Sequence, residues 1–291
     1  MADGEGEEAM RKYLARWHYI FLAMIGIVML SPLLLMFTNS FLGLREIVEA
    51  YGGVLGGSEE EVHLRILPQY MTLRPYVELL FDSPDFFVMF WNSCRQVFSI
   101  LAGQLFISIP AAWAFARFEF RGRKGLFFLY MLLMILPFQV TMVSHYEVLS
   151  SLSLIDTHWA LILPGIFSTF PVFLVEKFFQ AIPESMIEAA RVDGAGEFSI
   201  FLRIGLPLGM PGVMSSCILC FLEYWNAIEA PMTFLKTKSK LPLSLYLPEI
   251  TTDQLSVSFV ASVVMMIPAL LIFLWGRDYL QQGIEASGLK E

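Results

Sequence analysis

Few residues in this sequence are of a type and spacing that could do chemistry. Cys217-Ile-Leu-Cys220 has the spacing of a redox pair, but it lies in an apolar run, where a thiol packs as a small hydrophobe. His18, His63, His145 and His158 are scattered, and a single histidine makes no metal site. No Ser/His pair or His-x-x-Glu-His arrangement offers a catalytic centre, and no Gly-x4-Gly-Lys-Ser/Thr loop offers a phosphate site. No catalytic residue and no metal ligand is therefore expected. What remains is a set of polar groups inside apolar runs: Gln104, Gln139, Thr141, Ser144, Glu223, Tyr224, Trp225, Asn226 and Glu229. In a bilayer such groups are costly and often functional. They also serve as helix–helix hydrogen bonds and interfacial belts, and both readings stay open.

The elements that must position these groups follow from composition. Of 291 residues, 56% are apolar and 16% charged, against about 45–50% and about 25% in soluble domains. That points to a bilayer as solvent. The net charge of −8 argues against nucleic acid as a partner. Three cysteines make no disulfide framework. A membrane helix needs roughly 20 mostly apolar residues, and six runs free of Asp, Glu, Lys and Arg qualify or can be extended to do so. They are Trp17–Phe41, Val97–Ala116, Leu126–Tyr146, Trp159–Val175, Leu206–Leu222 and Leu255–Gly276. The expected fold is an all-α integral membrane protein of six transmembrane helices. Pro32, Pro110, Pro137, Pro164, Pro211 and Pro268 fall inside the spans. Each removes a backbone donor, which favours packed, kinked helices whose neighbours satisfy the freed groups.

The first span is too long for a signal-peptide core and is expected to be retained. The acidic residues 1–16 read as a solvated cytoplasmic tail, and 17–291 as a single transmembrane domain. Residues 42–88 read as an irregular external loop, with a short helix possible in Leu64–Leu80. Basic residues Arg11, Lys12 and Arg16, and then Arg117, Arg121, Arg123 and Lys124, place both termini in the cytoplasm by the positive-inside rule. Lys236, Lys238 and Lys240 dissent, because they fall outside.

One polar segment, residues 177–205 between spans four and five, stands apart. Met186, Ile187, Ala190, Phe198, Phe201 and Leu202 recur at roughly helical spacing among charges. Pro183 suits a helix start and Gly194 a left-handed helix end. A second short helix over Gly196–Arg203 would be limited by Pro207. Helices this short need a partner surface, which could be the membrane interface or another protein. Glu188 and Arg191 could pair with each other or with that partner.

Glu188-Ala189-Ala190, then Arg191, the Asp193-Gly194-Ala195 core, nine residues after Gly194, and Ile204-x-Leu206-Pro207 resemble the coupling-loop signature of ABC importer permeases. Flanking motifs extend the likeness over roughly 85–290: Asn92-Ser93, Ala114 to Gly122, Pro137 with Gln139, Leu154-x-Asp156-Thr157, Phe179-x-x-Ile182-Pro183, Trp225-Asn226 and Gly283-Ile284-x-Ala286-x-Gly288. The branch resembled is carbohydrate uptake, in its second maltose-type permease subunit.

The resemblance implies a bacterial inner-membrane subunit with no cofactor of its own. It implies a second, homologous permease, two cytoplasmic ABC ATPases that carry ATP and Mg, and an extracytoplasmic solute-binding protein, with lipid around the bundle. The segment from Glu188 to Ala195, with Leu206 and Pro207, would dock on an ATPase. Gln139, Ser144, Glu223, Tyr224, Trp225 and Asn226 are candidates for the solute path, where Trp225 with Asn226 would offer a sugar an aromatic face and an amide. An autonomous secondary transporter or channel is the rival; it would need repeat halves or ionisable relays.

Overall fold

A computed structural model describes residues 3–55, 67–246 and 254–288 of the chain, with side chains described over 17–52, 67–246 and 254–282. All regular structure among the described residues is helical. Thirteen α-helices follow in order: α1 Asp3–Asn39, α2 Leu44–Leu55, α3 Arg74–Phe81, α4 Pro84–Arg117, α5 Arg123–Ile135, α6 Phe138–Ser151, α7 Trp159–Ile166, α8 Phe170–Ala181, α9 Glu184–Val192, α10 Glu197–Ile200, α11 Leu206–Trp225, α12 Glu229–Phe234 and α13 Leu255–Gly288. Five stretches are long and apolar enough to cross a membrane: Trp17–Asn39, Pro84–Arg117, Trp159–Ala181, Glu197–Trp225 and Leu255–Gln282. The third expected span is a bent pair, α5 and α6, meeting at 104°.

Proline explains the bend. Leu136 is extended (φ −67°, ψ 122°), as the residue before a proline prefers to be, and Pro137 cannot donate to the helix before it. The fourth span is interrupted at Phe167–Thr169, between α7 and α8. At its far end Ile182 (ψ 126°) is extended ahead of Pro183, which stops α8.

The chain divides into two compact units, Met1–Asp82 with Leu247–Val264, and Ser83–Tyr246 with Met265–Glu291. In the first unit, the backbone is helical from Asp3, so the helix runs through most of the tail assigned to 1–16. The loop expected over 42–88 is ordered in its described parts. Leu42, Ile47 and Ala50 are buried, Glu46 accepts the backbone N–H of Gln69 at 2.8 Å, and Tyr76 bonds Ser40 at 2.8 Å. Helix α3 starts within the stretch expected to hold one, Leu64–Leu80, and ends one residue beyond it. Gly56, Gly57 and the Glu59–Glu61 run lie outside the described residues.

In the second unit α4 is the central element. It packs on α7, α8 and α11, and its Trp113 and Phe115 join Val175, Phe179, Ile187 and Val213 in a buried core. Helix α11 approaches closely because Gly209 meets the Phe179 ring, where any Cβ would collide.

One end of this unit is tied by a polar knot. Asp156 Oδ1 accepts the backbone N–H groups of Lys236 and Thr237, both at 2.9 Å. Its Oδ2 accepts Thr237 Oγ1 at 2.6 Å and Lys240 Nζ at 3.0 Å. Helix α4 grips the same segment: Asn92 donates to the carbonyls of Ser239 and Leu241 at 2.8 and 3.0 Å, and Ser93 accepts the Leu243 N–H at 2.7 Å. The Thr237 hydroxyl and N–H, then the Lys236 N–H and Lys240, hold the Asp156 carboxyl far below the usual carboxylate range. A carboxyl with a depressed folded value contributes stability that is fully present above its unfolded value, about 4, and is lost as pH falls through the folded one. Asp156→Asn is therefore expected to lower the melting temperature of the purified protein at pH 7. The gap to wild type should narrow progressively below pH 4. A gap that is constant from pH 7 to pH 3 would contradict this account.

Candidate functional site

At the other end of α4 the segment expected to couple is a built elbow. Helix α9 ends at Asp193, and Gly194 takes the left-handed conformation (φ 84°). The Ala195 N–H returns to Ala190 O and the Gly194 N–H to Arg191 O, each at 3.0 Å. This is a Schellman closure, which satisfies two orphan carbonyls and favours glycine at that position. Ile187 is fully buried, and Ala190, Ala195 and Phe201 pack against the same core.

Arg117, at the C-terminus of α4, locks the elbow to the bundle. Its Nη2 donates to the carbonyls of Phe179 and Ile182, both at 2.5 Å, and its Nη1 to Glu184 Oε2 at 2.7 Å. The guanidinium is 6% exposed and lies 5.9 Å from the Trp113 ring centroid. On the surface Arg191 bonds Glu197 at 2.7 Å and lies 3.6 Å from Glu184. The hydrogen bond to Glu197, with Glu184 and Glu188 nearby, pushes its pKa above the ordinary range. Of the pairings open to Arg191, the structure shows one across the turn, with Glu197, rather than one with Glu188. Glu188, Ala189, Asp193 and Gly194 are exposed, as are Val192 and Phe198.

Two boundaries differ from expectation. Lys177 belongs to α8, beside Glu176 at 3.5 Å, so the segment starts after Ala181. The second helix of the elbow does not end at Arg203. It passes through a π-helical turn, Phe201–Gly205, into α11, with Leu206 and Pro207 in the first turn. Pro207 has no N–H to donate to the turn before it, and the π turn shifts the bonding register at the point where that donor is missing. The elbow is therefore one short helix closed onto a continuous helical rod, 197–225.

The polar residues of the spans do not all share one place. A cavity of about 620 Å³ lies among α5, α6, the α7–α8 break, the end of α11 and α12. Glu223 and Tyr224 line it, with Thr141, His145, Ser168, Thr169 and Glu229. Gln139 reaches Glu229, donating to both carboxylate oxygens at 2.8 Å. The Tyr224 hydroxyl accepts from Gln104 at 3.3 Å and donates to Gly165 O at 3.4 Å. Trp225 lies elsewhere. It is 5% exposed, stacks on Phe221 at 5.3 Å, and donates to Met265 O at 3.2 Å. The Asn226 amide turns back to Leu222 O at 2.8 Å. Trp225 therefore offers no face to solute in this arrangement, and helix packing accounts for it, whereas Asn226 is exposed at the end of α11. Ser144 is exposed on α6 and does not line the cavity. Ser168 and Thr169 were missed, because nothing in an apolar run marks where a helix opens.

Residues 104–286, more than half the chain, match the family described as binding-protein-dependent transport system inner membrane components. The chain belongs to that family. The arabinooligosaccharides transport system permease protein AraQ of Halalkalibacterium halodurans is 27% identical over 226 residues, 77% of this chain and 81% of that protein. The inner membrane ABC transporter permease protein YcjP of Escherichia coli is 29% identical over 283 residues, 94% and 95% of the two chains. The fold is similar to that of a bacterial ABC transporter involved in the import of the acidic polysaccharide alginate. That match has a TM-score of 0.75 at 21% identity, covering 92% of this chain and 96% of that one. Family membership sets aside the autonomous secondary transporter or channel, and it makes this a multi-pass inner-membrane protein.

In this permease Arg117 joins two helices and the elbow through one side chain. Its loss removes the charged donor from the Phe179 and Ile182 carbonyls, the first of which keeps the Ile182 N–H at 3.3 Å, and bonds of this charged kind are worth about 1.5–3 kcal/mol each. Arg117→Gln is expected to destabilise the purified permease by about 2 kcal/mol. It should also raise amide exchange in 184–195 while leaving 156–166 protected. Uniform exchange at both ends would count against a local clamp.

Proposed function

We propose that the chain forms half of the membrane pathway of an ATP-driven carbohydrate importer and takes its energy from a separate ATPase through the elbow around Glu188–Gly194. The observation that carries this reading is the elbow itself. A glycine-closed helix is locked by Arg117 to the spans and presents an exposed face bearing Glu188, Ala189 and Val192. Such a unit transmits displacement as a lever, whereas a loop absorbs it. The absence of a phosphate-binding loop in the sequence supports placing ATP and Mg on partner chains. The family's description supports a solute-binding protein, and a second permease would complete the pathway. The arabinooligosaccharide relative and the alginate importer support a glycan cargo. The cavity, lined by Glu223 and Tyr224 and reached by Gln139 through Glu229, is this chain's share of the path.

The elbow would face the cytoplasm, as would both termini. Arg121, Arg123 and Lys124 follow Arg117 at the elbow's end of α4, which agrees with the positive-inside rule. Two of the dissenting lysines are held by acidic partners at the other end: Lys240 by Asp156 at 3.0 Å and Lys238 by Asp85 at 3.4 Å. A structural role explains them without a change of orientation.

Two outcomes test the proposal. Gly194→Val forces a β-branched residue to φ 84°, and a left-handed residue costs about 1–2 kcal/mol. In the purified importer it should leave basal ATP hydrolysis while lowering solute uptake at least tenfold; normal uptake would refute the coupling role. An Arg123→Cys thiol should react with an impermeant maleimide only in inverted vesicles. Reaction in right-side-out spheroplasts would reverse the topology.

A further inference from the structure

We infer that the cavity selects neutral, hydroxyl-rich glycans and excludes anionic ones such as uronates and sugar phosphates. The inference rests on the pathway reading above. Its basis is the charge of the lining. Glu223 and Glu229 both line the cavity, and among the described residues no Lys or Arg does. The Gln139 amide donates to both Glu229 oxygens, but a neutral amide orients that carboxylate without cancelling its charge. Glu223 has no ion-pair or hydrogen-bond partner among the described residues. His145 lines the same space, and its Nδ1 is buried without a hydrogen-bond partner.

Ionised carboxylates only accept hydrogen bonds. Sugar hydroxyls donate to them in charge-assisted bonds, while a solute carboxylate or phosphate meets like charge with no cation to compensate. Low-dielectric walls focus that field, and clefts of one sign change the local concentration of ions by about 10-fold or more. The volume of about 620 Å³ falls within the range of about 300–1,000 Å³ usual for ligand sites.

The test uses the intact importer complex in lipid nanodiscs. Ala227, which lines the cavity between the two glutamates, is replaced in Ala227→Cys. The parent complex supplies the background from Cys94, Cys217 and Cys220. Two methanethiosulfonate reagents of similar size, one cationic and one anionic, are compared after normalising to their rates with a free thiol. The cationic reagent should react about 10-fold faster, and the combination Glu223→Gln with Glu229→Gln should bring the ratio near one. Glu223→Gln alone removes a carboxylate with no partner to lose, so it serves if the double variant does not assemble; it should lower the ratio part-way. Equal rates in the parent charge state, or a ratio unmoved by these substitutions, would overturn the inference. A thiol that reacts with neither reagent would instead remove the cavity from the solute path, and the charge inference would fall with that reading. The glycan retained by the co-purifying binding protein, identified by mass spectrometry, should carry no carboxylate or phosphate; an acidic glycan would overturn the selectivity.

Discussion

The structure of the second unit depends on one buried guanidinium. Where α8 stops before Pro183, its last carbonyls are under-supplied with donors, that of Phe179 receiving the Ile182 N–H at 3.3 Å, and the helix end carries partial negative charge. Arg117 answers both needs with one planar fork: two donors go to the Phe179 and Ile182 carbonyls, and a third to Glu184 on the next helix. Lysine could not span the three acceptors with one fixed geometry. Because Arg117 terminates α4, the elbow is referred directly to the longest helix of the unit. The other end of that helix holds the 235–243 segment through Asn92 and Ser93. By helical rise, Asn92 and Arg117 stand about 38 Å apart on one rod, so the two ends of the unit are tied to a single stiff element.

The interruptions are placed where such a rod is absent. Helices α5 and α6 part at Pro137, and α7 and α8 part at Phe167–Thr169. Backbone groups freed by a break cannot face lipid, so broken helices at membrane depth belong where protein or a watery cavity receives them. Both breaks contribute to the cavity: Leu136 from one and Phe167, Ser168 and Thr169 from the other line it. The prolines are thus part of how the polar space is opened, and Glu223 at the end of α11 with Glu229 at the start of α12 are what it is opened to.

The spans and the elbow were legible in the sequence because each rests on local rules. Charge-free runs read as helices, and a Pro183 start with a Gly194 end reads as a closed turn. The 104° bend and the opening of span four were not legible, since whether a proline kinks or breaks a helix is decided by neighbours. The π turn at 201–205 likewise let the chain run helical past Pro207, against the local signal. Trp225 and Asn226 show the limit most clearly. Their types suit a sugar, but a side chain's facing on α11 depends on its rotation against α4 and α13, and packing turned Trp225 inward to Met265. Its neighbours Glu223 and Tyr224, two and one positions earlier, took the cavity instead.

These placements bear on how energy could move through the proposed importer. A lever transmits work only if the partner that moves it binds one of its positions better than another, and linkage makes that preference reciprocal. In the proposed importer, α11 would carry a displacement at the cavity between α6 and α11 to the elbow, because the helix is continuous through 197–225. The π turn at 201–205 lies between the two and is the one place where the rod departs from α-helical geometry. It is held by the Trp113 ring, against which Gly205 packs too closely to admit a Cβ. Trp113 stands one turn before Arg117 on α4, so the side chain that seats the bulge and the one that locks the elbow share a single helical face. Motion of the elbow relative to α4 would strain both contacts together.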